Sequence, residues 1–257
     1  MAVLTSEDRS FWERNGYVVV RNAVPRDQCT ALVSSALEFI EMDNADPESW
    51  YPETPRGTSM IEMYHHQTMW DNRQTPRLYE AFTDLHGTEK LWVSIDRVSM
   101  NPPVREGVWE RELPLHWDMS LERPLRHGVQ GVVLLTDTEV HQGGFECVPG
   151  FHSKMDKWLE TVPKGEDPTE EMRRQCTGQP VPGRAGDLVM WTTLLPHGHG
   201  RNTGMDPRFA QYITMYPANE QDETARDHRI QGWRERRTGL AQQELGKEHR
   251  DGSTAVL

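Results

Sequence analysis

The hydrophobic pattern along the chain changes character near residue 90. Before that point helical spacing dominates. Thr5-Ser6-Glu7-Asp8 reads as a helix start with acid in its first turn, with Phe11 and Trp12 on its buried side and Gly16 ending it. Tyr17-Val18-Val19-Val20 is a β-branched run expected to form a buried strand. A second helix opens at Pro25-Arg26-Asp27, with Cys29, Leu32, Val33, Ala36, Leu37 and Ile40 at helical spacing. Residues 43–75 read as loop, and within them 63–73 is too polar and aromatic to be core in either period. Residues 76–85 return to a helix.

From residue 91 short apolar runs succeed one another with turn residues between them. They predict strands over 91–100, 113–118, 128–136, 144–148, 187–191 and 209–216. A polar insertion over 154–179 reads as helical, and from 219 the chain is charged, with Ile230 and Trp233 its obvious packing residues. Helices first and many strands after indicate a mainly β fold with flanking helices, a sandwich or jelly roll. The expected organisation is a single domain over 1–257: a helical front with a substrate loop to 90, a β core over 91–218 and a charged C-terminal tail over 219–257.

Composition narrows the function. A formal charge of −12 argues against nucleic acid and anionic membrane as partners. No apolar run approaches the roughly 18 residues of a membrane span, and no basic-then-apolar leader opens the chain. Cys29, Cys147 and Cys176 form no C-x-x-C pair, which suits a reducing cytoplasm and excludes a disulfide framework or structural zinc. Nine tryptophans and eleven histidines supply material for an aromatic pocket and for metal chemistry.

The strand at 113–118 contains His116-Trp117-Asp118. Residues i and i+2 of a strand share a face, so imidazole and carboxylate are expected to converge. A later strand ends at His197, and Arg208 stands eleven positions beyond it. His116, Asp118 and His197 thus offer the two-histidine, one-carboxylate set that suits iron(II) and leaves positions open. A 2-oxo acid can chelate at two of those positions and O2 can take the remainder. Arg208 would then pair bidentately with the far carboxylate of 2-oxoglutarate. Gln130 shares strand parity with Val132 and Leu134 and is a candidate for the same pocket, with 2-oxoglutarate or backbone as its partner. The segment containing His65, His66, Gln67, Trp70, Asn72 and Arg73 is the candidate substrate wall or lid. His127, His141 and His152 read as structural, and Arg229 and Trp233 as packing residues.

These motifs resemble the phytanoyl-CoA dioxygenase family of iron(II)/2-oxoglutarate oxygenases. The likeness runs from about Phe11 to Pro217, through FWERNGYVVVRNAV, Pro102-Pro103 before His116-Trp117-Asp118, the LTDT turn, GGFECVPGFH, GDLVMW and the HG…N…R segment. The resemblance implies a double-stranded β-helix. It also implies hydroxylation of an unactivated C–H bond, with 2-oxoglutarate converted to succinate and CO2 as O2 is consumed. It selects His197 over His199 as the third ligand, and leaves His199, where the family often has serine, beside the cosubstrate. It places Arg97 at the cosubstrate pocket or an anionic substrate group. Asp118 argues against halogenation, for which the family vacates the carboxylate position. The substrate expected is a small polar metabolite. The competing classes are a cupin-like hydrolase or isomerase without 2-oxoglutarate and a non-catalytic jelly-roll binding module. Arg208 argues against both.

Overall fold

The computed structural model describes residues 2–51 and 59–236. Helix α1 (Ser6–Asn15) begins where the sequence signals it: Thr5 Oγ1 accepts from the Asp8 amide at 3.1 Å and the Asp8 carboxylate accepts from the Thr5 amide at 2.9 Å. Gly16, at φ 76°, closes the helix in the left-handed conformation. Phe11 and Trp12 are only half-buried; Phe11 meets Tyr17 edge-on and Trp12 packs at the core margin. Strand β1 (Tyr17–Val20) and helix α2 (Arg26–Phe39) follow, and α2 buries Cys29, Leu32, Ala36 and Leu37.

The 63–73 segment departs from expectation. After β2 (Met60–Ile61) comes a helix, α3 (Gln67–Arg73), and Met63, Tyr64, His65, Met69, Asn72 and Arg73 are all buried. Part of this polarity is met inside the fold, at Asn72 and Arg73. Asn72 Nδ2 donates to Gln211 Oε1 at 2.9 Å, and Arg73 donates to the Tyr64 and Asp96 carbonyls at 2.8 Å each. Helix α4 (Pro76–His86) then buries Leu78, Ala81 and Phe82.

The strand expected over 91–100 is two, β3 (Leu91–Val93) and β4 (Val98–Asn101), because each half pairs with a different partner. There follow β5 (Leu113–His116), β6 (Val129–Leu134) and β7 (Phe145–Cys147). The polar insertion folds as α5 (Met155–Leu159) and α6 (Pro168–Gln175). Then come β8 (Gln179–Pro180), β9 (Leu188–Thr192), β10 (His197–His199), β11 (Arg208–Tyr212) and β12 (Met215–Pro217). Residues 209–216 are thus also divided between two strands.

All strand pairings among the described residues are antiparallel. One sheet runs β1-β9-β6-β11-β4-β2, a second β5-β10-β7-β8, and β12 pairs with β3. Alternation along the strands sorts the core into two layers. Val132, Leu134, Val189, Trp191 and Ala210 of the larger sheet meet Leu115, Phe145 and Cys147 of the smaller one and Trp117 just beyond β5. The intervening residues Val133, Leu188, Met190 and Phe209 pack instead with Cys29, Leu32, Met69 and Phe82 of the helical front. The larger sheet is therefore buried on both faces, which explains its near-continuous apolar runs. The fold is mainly β with flanking helices.

The last described element is α7 (Glu223–Arg234). Ile230 and Trp233, expected to pack, are 41% and 55% exposed. Arg229 anchors the helix instead: its guanidinium lies over Trp92 and Tyr216, bonding the Tyr216 hydroxyl and the Val93 carbonyl. The part of the expected tail over 237–257 lies outside the described residues. No described helix is long and apolar enough to cross a membrane.

Candidate metal centre

His116 is the last residue of β5, and Asp118 lies just beyond the strand end. The partner strand β10 places His197 directly opposite His116. The two imidazole rings stand 4.6 Å apart, with the Asp118 carboxylate between their Nε2 atoms. His116 Nε2 is 3.3 Å from Asp118 Oδ1, and His197 Nε2 is 3.2 Å from Oδ2. Each Nδ1 faces a backbone carbonyl at 3.0 Å, Pro114 O for His116 and Leu195 O for His197. A carbonyl can only accept, so Nδ1 carries the hydrogen and the neutral rings turn their Nε2 lone pairs toward the carboxylate. Three acceptors thus converge, with ligand atoms all within 4.8 Å of one another. Such a cluster requires a cation, either protons or a metal ion.

The electrostatics say the same. Bonds from His116 and then His197 hold the Asp118 carboxyl far below the usual carboxylate range. Burial opposes the His116 imidazolium, but the bonds to Asp118 and the Pro114 carbonyl outweigh it and its pKa is raised. His199 shares the cavity but stands outside this group, its Nδ1 on the Gly200 carbonyl at 3.1 Å. Burial, then the charge of Arg208, holds its pKa down to about 4, so it is a neutral imidazole at pH 7.

Arg208 opens β11 and lines the same cavity of about 380 Å3. It is 3% exposed; Nη1 donates to Ser99 Oγ and Nη2 to the Gly143 carbonyl, both at 2.9 Å, while Nε has no partner. Among the described residues no carboxylate pairs with it. Burial lowers its pKa, yet a guanidinium stays charged in proteins. A buried cation held only by neutral groups is costly unless an anion joins it. Tyr212, whose pKa burial raises, also contacts this guanidinium. The donor set suits a metal at the triad, and Arg208 suits a carboxylate beside it.

The remaining candidates divide. Gln130 lines the cavity, but its partners are Asp118 and Trp191. Arg97 lines it too, with its charge already met by Glu62 at 2.8 Å and Asp96 at 3.7 Å. The expected substrate wall is not at the cavity: none of His65, His66, Gln67, Trp70, Asn72 and Arg73 lines it. His66 caps α3, Gln67 bonds Asp71 on the helix surface, and the Arg73 guanidinium lies over Trp70. The bonds of His66, Gln67, Asn72 and Arg73 serve the fold, and one Arg73 bond also fixes the Asp96 carbonyl at the cavity wall. Sequence reasoning missed Asp96, Ser99 and Tyr212. Ser99 carried a weak signal, a hydroxyl in an apolar strand. Asp96 carried none, because the break between β3 and β4 that turns it inward is invisible in the pattern.

The sequence profile of the phytanoyl-CoA dioxygenase family matches residues 12–210. A Dictyostelium discoideum protein named for phytanoyl-CoA dioxygenase is 23% identical, over 85% of this chain and 77% of its own. The epimerase SnoN from nogalamycin biosynthesis, solved with Fe3+, alpha ketoglutarate and nogalamycin RO, superposes with a TM-score of 0.61 at 20% identity, over 82% of this chain and 83% of that one. The alpha ketoglutarate dependent carbocyclase SnoK, from the same biosynthesis, gives 0.57 at 18% identity, over 87% and 90%. These two structures are alike in fold and belong to iron- or 2-oxoglutarate-using enzymes. With the profile spanning His116, Asp118, His197 and Arg208, the chain belongs to the phytanoyl-CoA dioxygenase family.

Proposed function

We propose that this chain is an iron(II)/2-oxoglutarate-dependent dioxygenase that hydroxylates an unactivated C–H bond of a small polar metabolite. The scaffold proposed is one oxygenase domain built on a double-stranded β-helix. One observation carries the reading: a three-ligand cluster and a buried, carboxylate-free arginine line a single cavity.

His116, Asp118 and His197 would hold iron(II), which supplies the O2-activating redox chemistry when bound. Arg208 binds the far carboxylate of 2-oxoglutarate, its fork fixed by Ser99 and the Gly143 carbonyl. His199, being neutral, adds no second charge to that pocket. Val132, Leu134, Phe145 and Trp191 form an apolar wall that keeps water from the reacting centre. Asp96 Oδ1 accepts from the Arg97 amide at 2.7 Å, while Oδ2 has no hydrogen-bond partner among the described residues. That acceptor favours a substrate bearing hydroxyl or amine donors. Across the turnover, substrate C–H, 2-oxoglutarate and O2 become substrate C–OH, succinate and CO2, and no side chain is demanded as acid or base. A cytoplasmic setting fits the free cysteines.

The test is anaerobic titration of iron(II) with and without 2-oxoglutarate, followed by the visible charge-transfer absorption of the chelate. A band needing both components and lost in Asp118→Ala supports the reading, and succinate release then screens substrates. No band in iron-loaded protein moves the hydrolase and binding-module readings ahead. The likeness to SnoN and SnoK keeps epimerisation and ring closure as alternative outcomes at this centre, and product mass separates them, since hydroxylation alone adds one oxygen.

A further inference from the structure

Gln130 lies on the face of β6 that it shares with Val132 and Leu134, turned into the cavity. The two ends of its amide have different partners. Trp191 Nε1, which can only donate, bonds Gln130 Oε1 at 3.1 Å. The amide nitrogen must then face the other way, and it donates to Asp118 Oδ2 at 2.7 Å. The indole therefore sets the orientation of the amide, and the amide sets the carboxylate.

Trp191 is a firm anchor for this relay. It is 2% exposed, its ring 4.6 Å from Phe145 and 5.0 Å from His197. The register of β6 against β9 puts Gln130 and Trp191 directly opposite each other, so both side chains leave the sheet on one face. No rearrangement of loops is needed to form the bonds.

Resting on the reading of His116, Asp118 and His197 as metal ligands, we infer that Gln130 is a positioning residue for the metal centre. It holds Asp118 so that Oδ2 is engaged as a hydrogen-bond acceptor and Oδ1 is the oxygen offered to the ion. An unrestrained carboxylate can rotate and grip a metal with both oxygens. A donor at 2.7 Å from Oδ2 withdraws charge from that oxygen and restrains the rotation. Monodentate binding in turn leaves coordination positions open for a chelating cosubstrate and O2. A neutral amide does this without adding charge to the site. The expected role of Gln130 as a direct contact of 2-oxoglutarate is replaced by one acting through Asp118.

The test uses Co(II) alone as the probe, titrated into the full-length wild-type, Asp118→Ala, Gln130→Met and Trp191→Phe proteins. Binding is followed by the visible absorption of cobalt, and the metal-free proteins are checked by thermal melting. Gln130→Met keeps the length of the side chain and removes the donor. It is expected to weaken Co(II) binding about 10- to 100-fold and to alter the band shape, as loss of a ligand's supporting bond does. Trp191→Phe frees the amide to flip and is expected to act in the same direction with smaller effect. It decides the matter if Gln130→Met does not fold. Co(II) binding within about twofold of wild type in both variants, with binding lost in Asp118→Ala, overturns the inference and leaves the metal centre standing. Equal absence of binding in wild type and Asp118→Ala overturns the metal centre itself, and the role of Gln130 with it.

Discussion

Replacing Arg208 with methionine removes a buried positive charge while keeping much of the side-chain volume. In the ligand-free protein two effects oppose each other. Ser99 Oγ and the Gly143 carbonyl lose their donors, at about 1–3 kcal/mol for each group left unsatisfied. Against that, the fold no longer carries an ion desolvated without a counter-charge, a penalty on the order of several kcal/mol. The melting temperature is therefore expected to stay within about 5 °C of wild type. Binding of 2-oxoglutarate is expected to suffer far more, because its carboxylate would enter a buried pocket without its partner. Truncating one member of such a pair costs about 2–5 kcal/mol, roughly 30- to several-thousand-fold in Kd. The assay is thermal melting under argon with iron(II), with 2-oxoglutarate at a hundred times the wild-type Kd. Wild type should gain about 2.7 kcal/mol, or roughly 5–10 °C. A variant binding 100-fold more weakly gains less than about 0.5 kcal/mol. Equal ligand-induced shifts in the two proteins would refute the assignment of Arg208. So would collapse of the ligand-free variant, which would make Arg208 a residue of the fold rather than of the pocket.

Gly143 sits at φ +62°, and a Cβ there would meet Gly200 O at 2.5 Å and Asn101 Nδ2 and Asn202 N at 2.8 Å; Gly143→Ala should cost about 2–4 kcal/mol in urea unfolding and, by displacing the carbonyl that holds Arg208, weaken 2-oxoglutarate binding. His199 has a pKa of about 4 when folded, against an ordinary 6.5. Between those values the unfolded chain holds a proton that the folded chain does not. The contribution of His199 to the stability of the metal-free protein should thus be constant above about pH 6.5 and fall toward pH 4 by at most about 3 kcal/mol, whereas His116, with its raised pKa, contributes stability that is lost as pH rises above 6.5. Urea midpoints across that range should lose much of this slope in His199→Asn, and parallel profiles would count against the assignment. Arg73→Ala strips the donors from the Tyr64 and Asp96 carbonyls and should lower stability by about 2–4 kcal/mol. Gln67→Ala, on the exposed side of the same helix, should change it by less than about 0.5 kcal/mol.

Sequence alone was enough for what depends on neighbours in the chain. The Thr5–Asp8 capping box, the Gly16 stop and the α2 stripe through Cys29, Leu32 and Ala36 are local physics, and the structure has them where the pattern puts them. His116 and Asp118 come together as their two-residue spacing suggests, although β5 ends at His116 and strand parity does not itself place Asp118; His197 and Arg208 were legible from residue types that together suit one chemistry. What the pattern misreads is partnership across the fold. A run from 91 to 100 looks like one strand, yet β3 pairs with β12 and β4 with β11, and the break between them carries Asp96 and Arg97 to the cavity. Asn72 and Arg73 look too polar for a core, but Gln211 and the Tyr64 and Asp96 carbonyls accept from groups that no local reading could pair. Gln130 was legible as inward-facing, since strand parity is local. That it grips Asp118 and answers to Trp191 follows only from the register of β6 against β9 and the closeness of the second sheet. Local spacing settles which way a side chain points, whereas the packing of sequence-distant strands settles what it meets.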